Sequence, residues 1–166
     1  MSEPPSLECV AYHEASHCAA YLHLGHRFVG VSIVPHGTDW GRIEPAPAPP
    51  MPASVQFVLD RATIALAGDL GDNRHCGRLA PTEGRHVDDD LARAANLAAL
   101  LTSTDAELGA LMQQLKARAQ RILQTPDVWH GVEAIAARLL LRRQLTHAQT
   151  VEAWQQAGPH ATVPPL

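Results

Sequence analysis

From Leu7 to Leu24 the chain carries neither glycine nor proline. Nothing there interrupts a helix, and Gly25 follows as a stop. A helix from Ser6 to about Leu24 is therefore expected, with Leu7, Val10, Cys18 and Leu22 sharing a buried stripe. The next segment differs in kind. Phe28 to Pro35 is short, rich in β-branched residues and alternating, so it is expected as a strand. A turn at His36 to Asp39 then leads to a second short strand, Trp40 to Glu44, placed to pair with the first.

Pro45, Pro47, Pro49, Pro50 and Pro52 forbid a helix in the stretch that follows, because proline removes donors and restricts the residue before it. It reads as an extended connector, or as a flap beside a groove. Ser54 then suits the N-cap of a helix running to about Arg74, with Gly68 and Gly71 implying close packing or a kink. A loop is expected from Gly77 to Gly84, and a helix from Asp88 to Leu101 with acids at its positive end. Thr104 and Glu107 have capping-box spacing and open a helix to about Gln124. Thr125 with Pro126 opens another to about Arg143, and Thr146 a last one to about Gln156. Trp129 and Trp154 are expected to anchor helix packing.

Composition agrees with a mainly α fold carrying a small sheet near the N-terminus. Hydrophobic residues make up 46% of the chain but aromatics only 4%, and alanine and leucine supply most of the apolar content. A net charge of -4 lacks the basic surplus expected of a nucleic-acid binder. No run approaches the roughly 18 apolar residues that a membrane span needs. The opening MSEPPSLECV has neither a basic region nor an apolar run, so no signal peptide is expected. The three cysteines, Cys9, Cys18 and Cys76, are odd in number and lack CxxC spacing. They argue against a disulfide framework and for a reducing, cytoplasmic setting.

Chemistry concentrates in the first helix, at His13-Glu14-Ala15-Ser16-His17. Residues four apart share a helix face, so His13 and His17 can offer two imidazoles to one metal ion. Glu14 is rotated away and can reach a metal-bound water without becoming a ligand. The bland alternative is two satisfied helix histidines and a surface glutamate. A catalytic zinc takes three protein ligands and keeps one open position. Asp69, Asp72, His75, Cys76, His86, Asp88, Asp89 and Asp90 all qualify for the third place, and composition does not choose among them. Asp69 and Asp72 are also candidates for holding a ligand imidazole from behind, Asp72 being the better placed. Cys18 reads as a small core residue, and His23 and His26 as helix-terminal cations.

The order of these segments resembles the peptidase domain of FtsH-type membrane proteases. VAYHEASHCAAYLHLG followed by VGVSIVPHG is similar to that family's HEAGH helix and the strand after it. LAGDLGDNRHCG falls where the family has a glycine-rich helical segment with paired glutamates, here Asp72 and Asn73. DDDLARAANLAA looks like its NDLxxAT segment, and EAIAARLLLRRQLTHAQTVEAW like its closing helices. The resemblance spans Val10 to Trp154 and implies a zincin-like fold with Zn2+ on His13, His17 and Asp90, and Glu14 as the base. The length suits one domain over 1–166, read as a metal-site core at 6–103, a C-terminal helical bundle at 104–157 and a loose tail at 158–166. The family's glycine between the two histidines is Ser16 here, and no phosphate-cradling GxxxxGK[ST] loop is present.

The expected activity is therefore zinc-dependent hydrolysis of peptide bonds in unfolded or flexible polypeptides. Folded substrates would need a separate ATPase partner, and a homo-oligomer is in keeping with the family. Substrate would lie along the edge of the strand containing Val31, Ser32 and Ile33, by strand addition. His36 is a candidate oxyanion donor, though it also reads as a plain turn histidine. The alternative is a non-catalytic or degenerate zinc-binding domain serving interaction or assembly; an intact Glu14 speaks against it. A repressor-cleaving regulator protease and a metal-free helical scaffold are further rivals.

Overall fold

The computed structural model describes residues 5–47, 54–77 and 86–158, the last stretch with its side chains from 89 onward. Parts of the expected proline-rich loop and of the 77–84 loop, the tail beyond Gly158, and the side chains of His86 and Asp88 lie outside the described residues.

The fold is mainly helical. Helix α1, Leu7–His23, begins where the Ser6 hydroxyl accepts from the Cys9 amide at 3.2 Å, and the chain leaves it through Gly25 at φ 75°. Every residue from His13 to Leu22 is buried. The helix is therefore the central rod of the molecule, and a single apolar stripe understates its burial. Alanines at 11, 15 and 19 are fully enclosed and let neighbouring elements approach closely.

Strand β1, Phe28–Ser32, is the middle of a three-stranded antiparallel sheet in the order β2-β1-β3. Its partners are β2, Arg42–Pro45, and β3, Gln144–Thr146. β3 is three residues long, too short for alternation to reveal it in the sequence. It follows helix α6, Pro126–Arg142, which ends at Arg143 in the left-handed region, φ 66°. Helix α7, His147–Gln156, follows directly from a capping box between Thr146 and Gln149.

The helix expected from Ser54 to Arg74 is two helices, α2, Val55–Ala65, and α3, Ala67–Cys76. The break at Leu66 has a structural use. The last carbonyls of a helix lack intrahelical donors, and Ile64 spends its carbonyl on the His17 ring. α3 then lies antiparallel on α1. Cys76 meets Cys9, Asp72 meets His13, and Gly68 lies on His17. Gly71 meets Ser16, which explains how a serine fits between the two histidines: its hydroxyl donates to the Tyr12 carbonyl at 2.7 Å, against a residue with no side chain.

Cys9 and Cys76 form a disulfide. The expectation that the cysteines form no disulfide is thus corrected at this pair. Spacing along the chain is a poor guide here, because the antiparallel packing of two helices joins cysteines 67 residues apart. Cys18 is free and buried. No helix among the described residues is long and apolar enough to cross a membrane.

Helix α4, His86–Ala99, and helix α5, Asp105–Gln124, complete the fold. Asp90, Ala94 and Ala98 follow one another at four-residue spacing, and all three are buried. The alanines pack in a second apolar cluster with Ala62 and Ala65 of α2, with Leu66 at the break after it, and with Leu115 and Ala119 of α5. The same stripe thereby points Asp90 at α1. The larger core lies around α1, between the sheet, α3, α6 and α7, with Trp129 and Trp154 inside it.

Candidate metal centre

Three buried side chains from two helices converge on one point. His13 Nε2 and His17 Nε2 lie 3.1 Å apart, and Asp90 Oδ2 lies 3.1 Å from the first and 3.0 Å from the second. Ligand atoms around one tetrahedral zinc, each about 2.0–2.2 Å from it, stand roughly 3.3 Å apart. The three atoms are thus already at near-ligand spacing, and two imidazoles with a carboxylate form a donor set that suits zinc.

The outer contacts fix which nitrogen faces inward. His17 Nδ1 donates to the Ile64 carbonyl at 2.7 Å, leaving Nε2 for the shared point. His13 Nδ1 lies 3.0 Å from Asp72 Oδ2. Asp69, the other carboxylate considered for this place, stands off at 4.0 Å. The Ile64 carbonyl carries no sequence signal at all, since it depends on where a helix ends.

The charges of these groups are strongly coupled. Burial disfavours charge on His13, but hydrogen bonds to Asp72 and Asp90, aided by the Glu14 charge, lift it well above the ordinary imidazole range. His17 is also raised, burial being outweighed by the charge and hydrogen bond of Asp90. Asp90 is driven far below the usual carboxylate range, against its burial, chiefly by His17 and His13. Without a metal the surroundings thus favour positive charge where a cation would sit. Burial pushes Glu14 upward.

Glycines frame these groups. A methyl group on Gly68 would meet His17 Nε2 and would lie 2.6 Å from His13 Nε2. One on Gly41 would lie 2.5 Å from Glu14 Oε1. Gly68→Ala is accordingly expected to push the two imidazoles out of line. Metal affinity, measured by chelator competition, should fall roughly 10- to 100-fold, the range seen when ligand orientation is lost. An unchanged affinity would contradict the close approach.

A pocket of about 130 Å³ opens onto the site. Glu14, Gly41, Arg42, Ile43, Arg61 and Arg93 are among the residues that line it. The remaining candidate ligands lie elsewhere. His75 stacks on the Tyr12 ring and bonds Glu8 at 3.0 Å, Cys76 is in the disulfide, and Asp89 is exposed at the pocket rim. His36 sits in its expected turn, bridged to Asp39, and is exposed.

Strand addition at Val31, Ser32 and Ile33 is corrected by the sheet order. β1 is the central strand, so Val31 faces Ile43 on one side and Leu145 on the other, and Ser32 faces Arg42 and Gln144. The Ile33 amide is taken by the Arg143 carbonyl at 2.9 Å. Val31 and Ile33 belong to the core. Among the described residues the strand edge beside the pocket is that of β2.

No protein-family model matches the chain, and no curated protein matches it.

Proposed function

We propose that the chain is a zinc-dependent endopeptidase with a zincin-like fold of FtsH type, acting on unfolded or flexible polypeptides. The observation that carries this reading is the convergence of His13, His17 and Asp90 within 3.0–3.1 Å of one another. The buried carboxylate of Glu14 lines the same pocket.

His13, His17 and Asp90 would hold the ion, and a zinc bound there supplies Lewis acidity and an activated water. Glu14 is the general base: it accepts a proton on its carboxylate and returns it to the leaving amine. Asp72 and the Ile64 carbonyl keep the two imidazoles in register. The edge of β2 offers backbone groups to an extended substrate beside the pocket. A pocket of about 130 Å³ accommodates a side chain and not a folded protein, so compact substrates would reach it through a separate ATPase or unfolding partner.

The test is zinc content beside hydrolysis. The purified protein, after reconstitution, is expected to hold one zinc per chain and to digest an unstructured casein-like substrate. His17→Ala and Asp90→Ala should each lose the zinc and the hydrolysis together. A protein that takes up no zinc contradicts the proposal. One that binds a single zinc and leaves the substrate intact is instead a zinc-binding interaction domain.

A further inference from the structure

A second recognition feature lies beside the metal-ligand triad. Arg61 projects from α2 and lines both the metal pocket and a groove next to it that contains Phe57, Leu97 and Leu100. The side chain is half-buried and held in place. Its Nη1 donates to the Tyr21 hydroxyl, and its guanidinium carbon lies 4.9 Å from the centre of the Tyr21 ring. Tyr21 is itself buried, one helical turn beyond the ligand His17.

The guanidinium has no carboxylate partner among the described residues. The nearest acid in sequence, Asp60, is fully committed: it bonds His26 at 2.9 Å, Gln56 at 2.7 Å and Arg118 at 2.6 Å. Arg93, which lines the same two cavities, is 3.9 Å from the ligand Asp90, and Arg42 lines the pocket from β2. Asp39 and Asp89 sit in the pocket lining but form no ion pair with Arg61. A fixed, half-buried guanidinium with most of its donors unspent is suited to a planar anion, above all a carboxylate gripped by two parallel hydrogen bonds.

We propose that Arg61 is a specificity residue that binds a carboxylate of the substrate next to the bond presented to the metal. This inference rests on the peptidase reading above. The carboxylate has two sources: an aspartate or glutamate side chain flanking the scissile bond, or the free C-terminus of the polypeptide. The apolar groove beyond Arg61 would take the neighbouring substrate residues.

Four otherwise identical fluorescent peptides decide it. One has glutamate beside the central bond and an amidated end. The second has glutamine there. The third has alanine and a free C-terminus, and the fourth alanine and an amide. Binding to the zinc-loaded protein is read by fluorescence anisotropy, and cleavage separately. A charged hydrogen-bonded pair should favour the carboxylate peptide by about 10- to 100-fold. Preference for the first peptide over the second assigns the side-chain source, and preference for the third over the fourth the C-terminal source. Arg61→Gln should bring the ratio close to one, and Arg61→Lys should restore part of it. Equal binding of all four peptides by the wild-type protein overturns the proposal, as does a ratio that survives Arg61→Gln. Peptides that bind with the expected preference but stay uncut would count against the peptidase reading alone.

Discussion

Glu14→Gln is expected to keep its zinc and lose most of its hydrolysis. The substitution retains shape and removes only the ability to take a proton. Glu14 is 4% exposed and adjoins His13 without being one of the three converging groups. Gly41 lies over its carboxylate so closely that any side chain there would displace it. Gly41 thus walls one side of the carboxylate and leaves it facing the pocket, where a base could meet a single water. General-base catalysis contributes roughly 10²- to 10⁴-fold, so a fall of that order in kcat is expected at unchanged zinc stoichiometry. A variant that digests casein at the wild-type rate would remove Glu14 from the mechanism. A variant that also loses its zinc would mean that the glutamate supports the site and is not a separate base.

Breaking the Cys9–Cys76 bond is expected to cost stability on the order of 4 kcal/mol. The bond closes a loop across a separation of 67 residues. In the chain-entropy account a loop of that size restricts the unfolded state by roughly 4 kcal/mol. Urea unfolding of the oxidised protein, compared with a Cys9→Ser/Cys76→Ser double variant, measures the difference directly. Coincident midpoints would mean that the bond contributes nothing to the fold. A thiol count on protein unfolded without reductant gives an independent check: one free thiol, that of Cys18, is expected, and three would show that the bond does not form.

The helices were legible where short-range chemistry marks them. The hydroxyls of Ser6, Ser54, Thr104 and Thr146 each accept an amide at the start of a helix, because these signals act within three residues. Thr125 is different: its helix forms, but its hydroxyl turns back to the Arg121 carbonyl. The pairing of His13 with His17 follows from helix geometry in the same local way. What escaped the sequence depends on distant packing. The break at Leu66, the strand at Gln144–Thr146, the disulfide and the central place of β1 are all set by contacts between segments far apart in the chain. Arg61 carries no sequence signal, because its lack of a carboxylate partner depends on the groups that Asp60 bonds, and no local pattern records those.

The seating of α3 on α1 bears on how a metal would enter. A disulfide at one end and the glycine at 68 at the other key the two helices together, and the histidine-to-Asp72 contact lies between them. Many small zinc domains have no shape until the ion arrives, and their folding energy is largely binding energy. Here the larger apolar core and the crosslink would set the two histidines, and the second apolar cluster would set Asp90, in advance. An ion would enter a finished socket and displace protons from the imidazoles instead of organising a chain.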